Sequence, residues 1–214
     1  MNKDLTEIVF ILDRSGSMRG LENDTIGGFN SLIEKQKKLP GEANVTTVLF
    51  DHAYMLLHDR VRLTELNPMT NEEYFVRGST ALLDAIGRTI SRMIHVAKTT
   101  NEHEKAKNVI FVITTDGMEN ASVEYSHSKI RSMIEYQQEQ YNWEFIFLGA
   151  NMDAIATAEQ FGIRKDKAAS YRADHHGVTI NYESMNEAIH QKRTKDSVTE
   201  NWKERIEKDY ENRK

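Results

Sequence analysis

An α/β fold is predicted for this chain, with a doubly wound, mostly parallel central sheet of the Rossmann-like type. One antiparallel edge strand and helices on both faces complete the prediction. Strand-like and helix-like segments alternate along the sequence, which is the pattern of a parallel sheet covered on both faces. Two runs, residues 8–12 and 109–114, are apolar almost throughout and suit strands that are buried on both sides. A short connection at 51–53 joins two strand-like segments and favours an antiparallel edge pair.

Each element has a local signal in the sequence. The first helix, residues 25–38, carries four apolar residues at helical spacing, and a Pro-Gly pair at 40–41 ends it. The helix at 81–98 has the clearest apolar stripe of the chain. In chain order the other predicted elements are strand 6–12, strands 44–50 and 54–58, strand 109–114, helix 126–141, strand 143–149, helix 153–161 and strand 168–171.

The last part of the chain is mostly charged and is predicted to be helical. Its apolar positions thin out towards the end, where Val198, Trp202 and Ile206 stand among charged residues. Burying so few side chains contributes little stability, at ~1.5–3 kcal/mol for each large one. Trp202 and Tyr210 are equally typical of a partner-binding stripe and of residues that fold back onto the domain. We predict a single domain over residues 1–194 and a charged helical extension over 195–214 that is peripheral to the core.

Composition excludes several classes of protein. The 214 residues carry a formal net charge of −5 without a Lys/Arg-rich block, so the basic footprint of a nucleic-acid binder is missing. The absence of cysteine excludes disulfides and thiolate metal sites. The sequence shows no secretory signal pattern and no apolar run near the ~20 residues of a membrane helix. We therefore expect a cytoplasmic protein that binds neither nucleic acid nor membranes.

Oxygen-bearing side chains follow two predicted strands and open one predicted helix. Asp13, Ser15 and Ser17 come directly after the first strand, and alternate residues of an extended segment point the same way. Thr80 precedes the helix with the clearest stripe, and Asp116 follows the central strand. Mg²⁺ prefers oxygen ligands in a near-octahedral array, and ligands bind at the carboxyl ends of parallel strands. The sequence therefore predicts a metal site at this edge of the sheet.

Plainer interpretations of these residues stay open at this point. The polar segment 13–17 is also typical of a turn that caps the next helix, and Thr80 is typical of an N-cap residue. Asp116 followed by Gly117 is typical of a simple turn. Other polar residues are predicted to have local roles: Asp51 in a turn, with the orientation of the first loop as its alternative role, Asp84 as a solvated helix residue, Glu119 and Asn120 at the rim of the site or in a loop cap, and His175 and His176 in a surface loop.

The motif resembles that of a known family. The chain is similar to von Willebrand factor A domains with a metal-ion-dependent adhesion site. Their motif is Asp-x-Ser-x-Ser, then a Thr in a middle loop, then Asp-Gly after a central strand. This sequence matches every position, and the resemblance covers about the first three quarters of the chain, to about Gly162. The matching residues are Asp13, Ser15, Ser17, Thr80 and Asp116.

The resemblance implies a bound Mg²⁺ or Mn²⁺. Ser15 and Ser17 would bind the metal directly, while Thr80 and Asp116 would bind it directly or through water. Asp13 would mainly hold waters and hydroxyls in place. One coordination position would stay open for an acidic side chain of a partner protein, so the implied function is metal-dependent protein binding without catalysis.

Two other functions fit parts of the sequence. A metal at the end of a parallel sheet also suits a metal-dependent phosphatase or hydrolase. Haloacid-dehalogenase-like phosphatases use Asp-x-Asp, however, and here Ser15 stands at the second acidic position. The sequence contains neither a phosphate-binding glycine loop nor a recognisable Ser-His-Asp constellation. A receiver-like domain needs an acidic pair near the first strand end, where Asp13 stands alone. The metal-dependent phosphohydrolase is kept as the alternative function.

Overall fold

The computed structural model describes residues 2–150 and 152–213, in which six strands and six α-helices alternate. The strands are β1 (Asn2–Asp13), β2 (Glu42–Phe50), β3 (Tyr54–Arg62), β4 (Ala106–Thr115), β5 (Glu144–Ala150) and β6 (Ala168–Tyr171). The helices are α1 (Glu22–Lys37), α2 (Leu82–Thr99), α3 (His127–Tyr141), α4 (Ala154–Gln160), α5 (His175–Lys195) and α6 (Glu204–Asn212).

All six strands form one sheet with the order β3-β2-β1-β4-β5-β6. Neighbouring strands are parallel except β2 and β3, which form the antiparallel pair at one edge. The order reverses between β1 and β4, because the chain leaves β1 towards β2 and returns to place β4 on the other side. This is the switch point at which parallel sheets open a crevice for ligands.

β1 shows why its sequence is a continuous apolar run. Ile8, Phe10 and Leu12 point to one face of the sheet, and Val9 and Ile11 point to the other. All five side chains are fully buried. Residues 8–12 are covered on both faces of the sheet and are all apolar, so the usual alternation is missing there.

Helices cover both faces. One buried cluster joins the sheet to α1, α5 and α6, and the other joins it to α2, α3 and α4. The stripe predicted for α2 is buried against the second face through Leu82, Ile86, Ile90 and Met93. The predicted fold class, a doubly wound and mostly parallel sheet with one antiparallel edge strand, is therefore confirmed.

The end of β3 and the position of the His175–His176 pair differ from the predictions. β3 continues past its predicted end at residue 58 to Arg62, because an edge strand tolerates polar residues that a central strand would have to bury. His175 and His176 are the first two residues of α5 and do not lie in a loop. The helix begins there because the side chain of Asp174 accepts a hydrogen bond from the backbone N–H of Gly177 at 2.7 Å.

The C-terminal segment is part of the core, so the prediction that it is peripheral is wrong. Val198, Trp202 and Ile206 are between 1% and 5% exposed and belong to the cluster under α1 and α5. The tail is helical, as predicted, in α6. Met1, Asn151 and Lys214 fall inside the ranges predicted for the domain and its extension and lie outside the described residues.

Polar contacts fix the same segment. The indole Nε1 of Trp202 donates to the backbone carbonyl of Asp166 at 2.9 Å. The ammonium group of Lys203 is buried and donates to the carbonyls of Lys165 and Ala168 at 2.9 and 3.3 Å. These bonds join the tail to the start of β6, which lies at the other edge of the sheet. Among residues 2–150 and 152–213, no helix combines the length and apolar character needed to cross a membrane.

We predict that Trp202→Ala destabilises the protein by about 3–5 kcal/mol, because it removes a fully buried indole and leaves a cavity. Urea unfolding followed by circular dichroism measures the free energy of unfolding. Lys208→Ala, on the exposed side of α6, serves as the control and should change stability little. A loss below about 1 kcal/mol for Trp202→Ala would show that the tail is not integral.

Candidate metal centre at the carboxyl edge of the sheet

Three loops meet where β1 and β4 end: the loop after β1, the loop before α2 and the loop after β4. The backbone N–H of Gly16 donates to the carbonyl of Gly78 at 3.1 Å, which joins the first loop to the second. The N–H of Asn120 donates to the carbonyl of Thr80 at 3.0 Å, which joins the third loop to the second. The backbone thus holds the three polar segments together without help from a ligand.

The hydroxyl groups of the predicted site converge on one point. The Oγ atoms of Ser15 and Ser17 are 3.1 Å apart. A Cβ built on Gly117 would lie 2.7 Å from Oγ1 of Thr80, 3.3 Å from Oγ of Ser17 and 3.6 Å from Oγ of Ser15. The three hydroxyls therefore surround a space beside Gly117 that any larger side chain at this position would fill.

Two carboxylates lie directly behind these hydroxyls. Asp13 is buried, and its Oδ1 accepts from the N–H of Ser15 at 2.7 Å while its Oδ2 accepts from the hydroxyl of Thr115 at 2.5 Å. Oδ1 of Asp116 accepts from the hydroxyl of Ser17 at 2.5 Å. The structure therefore brings together all five residues that the sequence predicted for the site, and adds Thr115.

Burial raises the pKa of both carboxyl groups. Burial raises the pKa of Asp13 above its usual value, against the hydrogen bonds from Thr115 and Ser15 that lower it. Burial also raises the pKa of Asp116 to about 6, and the nearby charge of Asp13 adds to this, whereas the hydroxyl of Ser17 opposes it. A cation between the two carboxylates would favour their charged forms.

The donor set is the kind that a hard divalent cation accepts. It offers two carboxylates and three neutral hydroxyls, all through oxygen, which suits Mg²⁺ or Mn²⁺ better than a soft metal. No three His, Cys, Asp or Glu side chains come together as a metal-binding group in the described part of the chain. Any metal here would thus depend on the serine and threonine hydroxyls.

The capping interpretation of the same residues is wrong. Ser15 is the N-cap of a short 3₁₀ turn, but its side chain makes no capping hydrogen bond. The N-cap of α2 is Ala81, so the hydroxyl of Thr80 does not cap that helix. These side chains therefore point to the shared space described above, and the adjacent helices begin without them.

Asp51 holds the first loop in place, which is the alternative role that the sequence left open beside a simple turn. Its side chain is fully buried, and its Oδ2 accepts from Nε of Arg14 and from Nε of Arg77, each at 2.9 Å. Burial alone would raise the pKa of Asp51, but the two guanidinium groups and the N–H of Ala53 lower it below its usual value. Because Arg14 lies between Asp13 and Ser15, this ion cluster fixes the loop that carries three of the five site residues.

Tyr74 supports the same loop and was not predicted. Its hydroxyl donates to the backbone carbonyl of Asp13 at 2.6 Å, and its ring is buried. Burial raises the pKa of Tyr74 well above its usual value, so it remains a proton donor at neutral pH. No local pattern predicts this contact, because Tyr74 lies in a segment without regular structure.

Polar side chains join the loop after β4 to α2 and to the segment just before it by hydrogen bonds. Glu119 accepts from the N–H of Leu83 at 2.9 Å, and Oδ1 of Asn120 accepts from the N–H of Thr80 at 2.9 Å. Asp84, predicted to be solvated, is only 7% exposed. Its carboxylate accepts from three backbone N–H groups of residues 123–125, each at 2.9 Å, which explains why a charged residue is buried on the inner side of this helix.

Comparisons with known proteins show the fold of the chain. No protein-family model and no curated protein matches it. Among solved structures, it is similar to proximal thread matrix protein 1 of the mussel byssus, with a TM-score of 0.59 at 11% identity over 87% of this chain and 48% of that one. It is also similar to VWA2, the ArnB paralogue of Sulfolobus acidocaldarius, with a TM-score of 0.55 at 17% identity over 87% of this chain and 45% of that one.

A third structure agrees with these two. The von Willebrand factor type A protein of Catenulispora acidiphila gives a TM-score of 0.58 at 13% identity over 87% of this chain and 42% of that one. The chain spans less than half the length of each of these structures. At such identities the likeness shows the fold alone, and this chain has a von Willebrand factor A-like fold, as its motif predicted. The mussel structure holds zinc at its MIDAS motif.

We predict that Arg14→Ala lowers the free energy of unfolding by about 3 kcal/mol, because it removes one partner of a buried ion cluster. Arg92→Ala removes one partner of the exposed pair with Asp59 and should cost at most about 1 kcal/mol. Chemical unfolding of both variants measures the difference. Equal losses would mean that Arg14 and Asp51 do not anchor the first loop.

In protein kept free of metal with EDTA, Asp116 should make stability depend on pH. A raised pKa means that the folded state holds this proton more tightly than the unfolded chain does, so stability falls as pH rises from about 4 to about 6. Asp116→Asn removes this part of the loss, which we place at roughly 1–2 kcal/mol after solvent screening of a half-buried group. Thermal unfolding between pH 4 and 8 measures it. Asp4→Asn, at an exposed position, is the control, and parallel profiles of Asp116→Asn and wild type would contradict the prediction.

Proposed function

We propose that this chain is a metal-dependent protein-binding module. A Mg²⁺ or Mn²⁺ ion would bind at the carboxyl edge of the sheet through the hydroxyls of Ser15, Ser17 and Thr80. Asp13 and Asp116 would contact it directly or through water. An acidic side chain of a partner protein would complete the coordination of the metal.

The convergence of three hydroxyls beside Gly117 carries this proposal. A turn or a helix cap needs one such group, whereas these three come from two loops and surround one space. The two carboxylates behind them have raised pKa values, which is the cost of burying acidic groups without a cation nearby. A bound divalent cation would remove that cost, so the site is suited to one.

The balance of charge explains why a partner would be needed. Two carboxylates offset the two charges of the ion, and the hydroxyls are neutral donors that leave it electrophilic. Mg²⁺ fills its near-octahedral shell with water when protein ligands run out. A carboxylate from a partner replaces one such water and gains a charge-assisted contact in a partly buried place. Bound metal would therefore raise the affinity of this chain for the partner, and bound partner would raise its affinity for the metal.

The proposal includes the absence of catalysis. A phosphohydrolase of this general design needs an aspartate with a free oxygen for attack. Both oxygens of Asp13 accept hydrogen bonds, from Ser15 and Thr115, and the residue is 1% exposed. Such a carboxylate is placed to hold neighbouring groups in position. A phosphatase assay with p-nitrophenyl phosphate tests the alternative, and metal-dependent turnover that Asp13→Asn abolishes would favour it.

The net charge of the chain bears on the class of partner that the proposed module would bind. A net charge of −5 disfavours binding to nucleic acid, and we propose a protein partner in the cytoplasm. The acidic partner side chain would meet the chain at the metal, at the coordination position that the protein's own ligands leave open.

We predict that Mg²⁺ or Mn²⁺ raises the melting temperature of the wild-type protein and not of the double variant Ser15→Ala/Ser17→Ala. Metal at about 100 times its Kd stabilises a folded protein by ~2.7 kcal/mol. The double variant should fold with nearly unchanged stability in EDTA, because these hydroxyls belong to a loop. Isothermal titration calorimetry with each metal, together with differential scanning fluorimetry, measures both effects.

Ser31→Ala, on the exposed side of α1, is the matched control and should keep the response to metal. The second part of the test is partner capture. Proteins retained by the wild type with Mg²⁺ should be released by EDTA and should not be retained by the double variant. Metal-induced stabilisation that persists in the double variant would overturn the assignment of these ligands.

A further inference from the structure

A cavity of about 660 Å³ lies between α2 and α3 and runs towards the amino edge of the sheet, away from the site of Asp13. Sites for small ligands typically measure ~300–1,000 Å³. The first residues of β4 and the residue before β5 line the end of the cavity at the amino edge of the sheet. The proposed metal site lies at the opposite, carboxyl edge, so the cavity is separate from it. Its apolar walls are formed by Met93, Ile94, Ala97, Val109, Met133 and Trp143.

The rim of this groove is basic, although the whole chain is acidic. Five lysine and arginine residues line the groove against two glutamates. Lys98 on α2 and Lys129 on α3 are exposed and make no ion pair within the described residues. The other three cations are paired: Arg60 with Glu7, Lys105 with Glu102, and Lys107 with Asp196.

The buried side chain of Glu7 is a second, independent indication that the groove binds a ligand. It lines the groove, is 4% exposed, and its Oε1 accepts from Arg60 at 2.8 Å and from Asn44 at 3.0 Å. Its other oxygen, Oε2, is buried and has no hydrogen-bond partner among the described residues. A buried acceptor without a donor is costly, so a ligand that brings a hydroxyl or N–H to this oxygen would be favoured.

We propose that this groove binds a small anionic amphiphile that carries a hydrogen-bond donor at its far end. The apolar body lies between α2 and α3, the anionic group pairs with the lysines of the rim, and the donor reaches Oε2 of Glu7 once the side chains that cover this buried oxygen move aside. Charge complementarity selects an acid over a neutral or cationic amphiphile, because the unpaired groups of the rim are both lysines. This site is independent of the proposed metal centre.

The probe is 10-hydroxydecanoate, used below its micelle concentration, since it carries all three features. Two matched compounds each lack one of them: decanoate has no hydroxyl, and 1,10-decanediol has no charge. Methyl NMR of protein labelled with ¹³C-methionine locates the binding, because Met93 and Met133 line the groove whereas Met18 and Met118 lie near the metal edge.

We expect saturable shifts of the Met93 and Met133 signals with 10-hydroxydecanoate, and no shifts of Met18 and Met118. Both decanoate and 1,10-decanediol should bind more weakly, the diol by about tenfold because it loses the contacts with the lysines. Equal affinity for the diol would overturn the charge assignment, and equal affinity for decanoate would remove Glu7 from the site. No saturable binding of any of the three, as expected if a protein segment covers the groove, would overturn the proposal.

Variants distinguish binding in the groove from a general response of the probe to surface charge. Lys98→Glu/Lys129→Glu should weaken 10-hydroxydecanoate binding by about tenfold. Lys35→Glu/Lys38→Glu, a matched double reversal at exposed positions in the last turn of α1 and directly after it, should leave it unchanged. Ala97→Phe fills the cavity and should abolish binding; if this variant does not fold, the charge-reversal pair decides. Equal weakening by the two charge-reversal pairs would mean that the probe responds only to net charge.

Discussion

The parallel pairing of β1 with β4 is the constraint on which the rest of the structure depends. Leu12 is aligned with Thr114, so the two strands end together and release Asp13 and Asp116 onto adjacent loops. Both strands are buried on both faces, and a shift of register by one residue would exchange the side chains of the two cores. The packing of the core therefore fixes the relative position of the two carboxylates, and the candidate metal centre takes its rigidity from the sheet.

Buried carboxylates at this edge fall into two groups that differ in their partners. Asp51 is as buried as Asp13, but two arginines lower its pKa, whereas burial raises the pKa of Asp13 and of Asp116. Burial acts to raise the pKa in every case, and the direction of the net shift depends on whether a cation is nearby. The cluster around Asp51 is complete within the protein and holds the loop in place. The pair of Asp13 and Asp116 is the part of the edge that a cation from solution would complete.

Much of the fold and the five candidate ligands could be predicted because their signals are local. An apolar run predicts a buried strand, and the oxygen-bearing residues that follow it are placed by the end of that strand. For Asp51 the sequence favours a turn over the orientation of the first loop, because it does not show that Arg77 reaches this carboxylate from a different loop. The prediction that the tail around Trp202 is peripheral is wrong for a related reason. Three apolar residues among charged ones do not show which surface they contact, and that surface includes the backbone of Asp166 before β6. Contacts between segments distant in sequence are set by the assembled sheet, so a single segment carries little information about them.

One helix connects the metal edge with the basic groove. α2 begins next to Thr80, where Glu119 accepts from the N–H of Leu83 in its first turn, and its later turns contribute Met93 and Lys98 to the groove. A ligand couples two sites only if it binds two arrangements of the element between them with different affinity. The cavity is already open in the structure, and both ends of α2 are packed or hydrogen-bonded, so an amphiphile of matching size would enter without shifting this helix. Occupancy of the groove would then leave the hydroxyl of Thr80 in place, and the two sites would bind their ligands independently in spite of the helix they share.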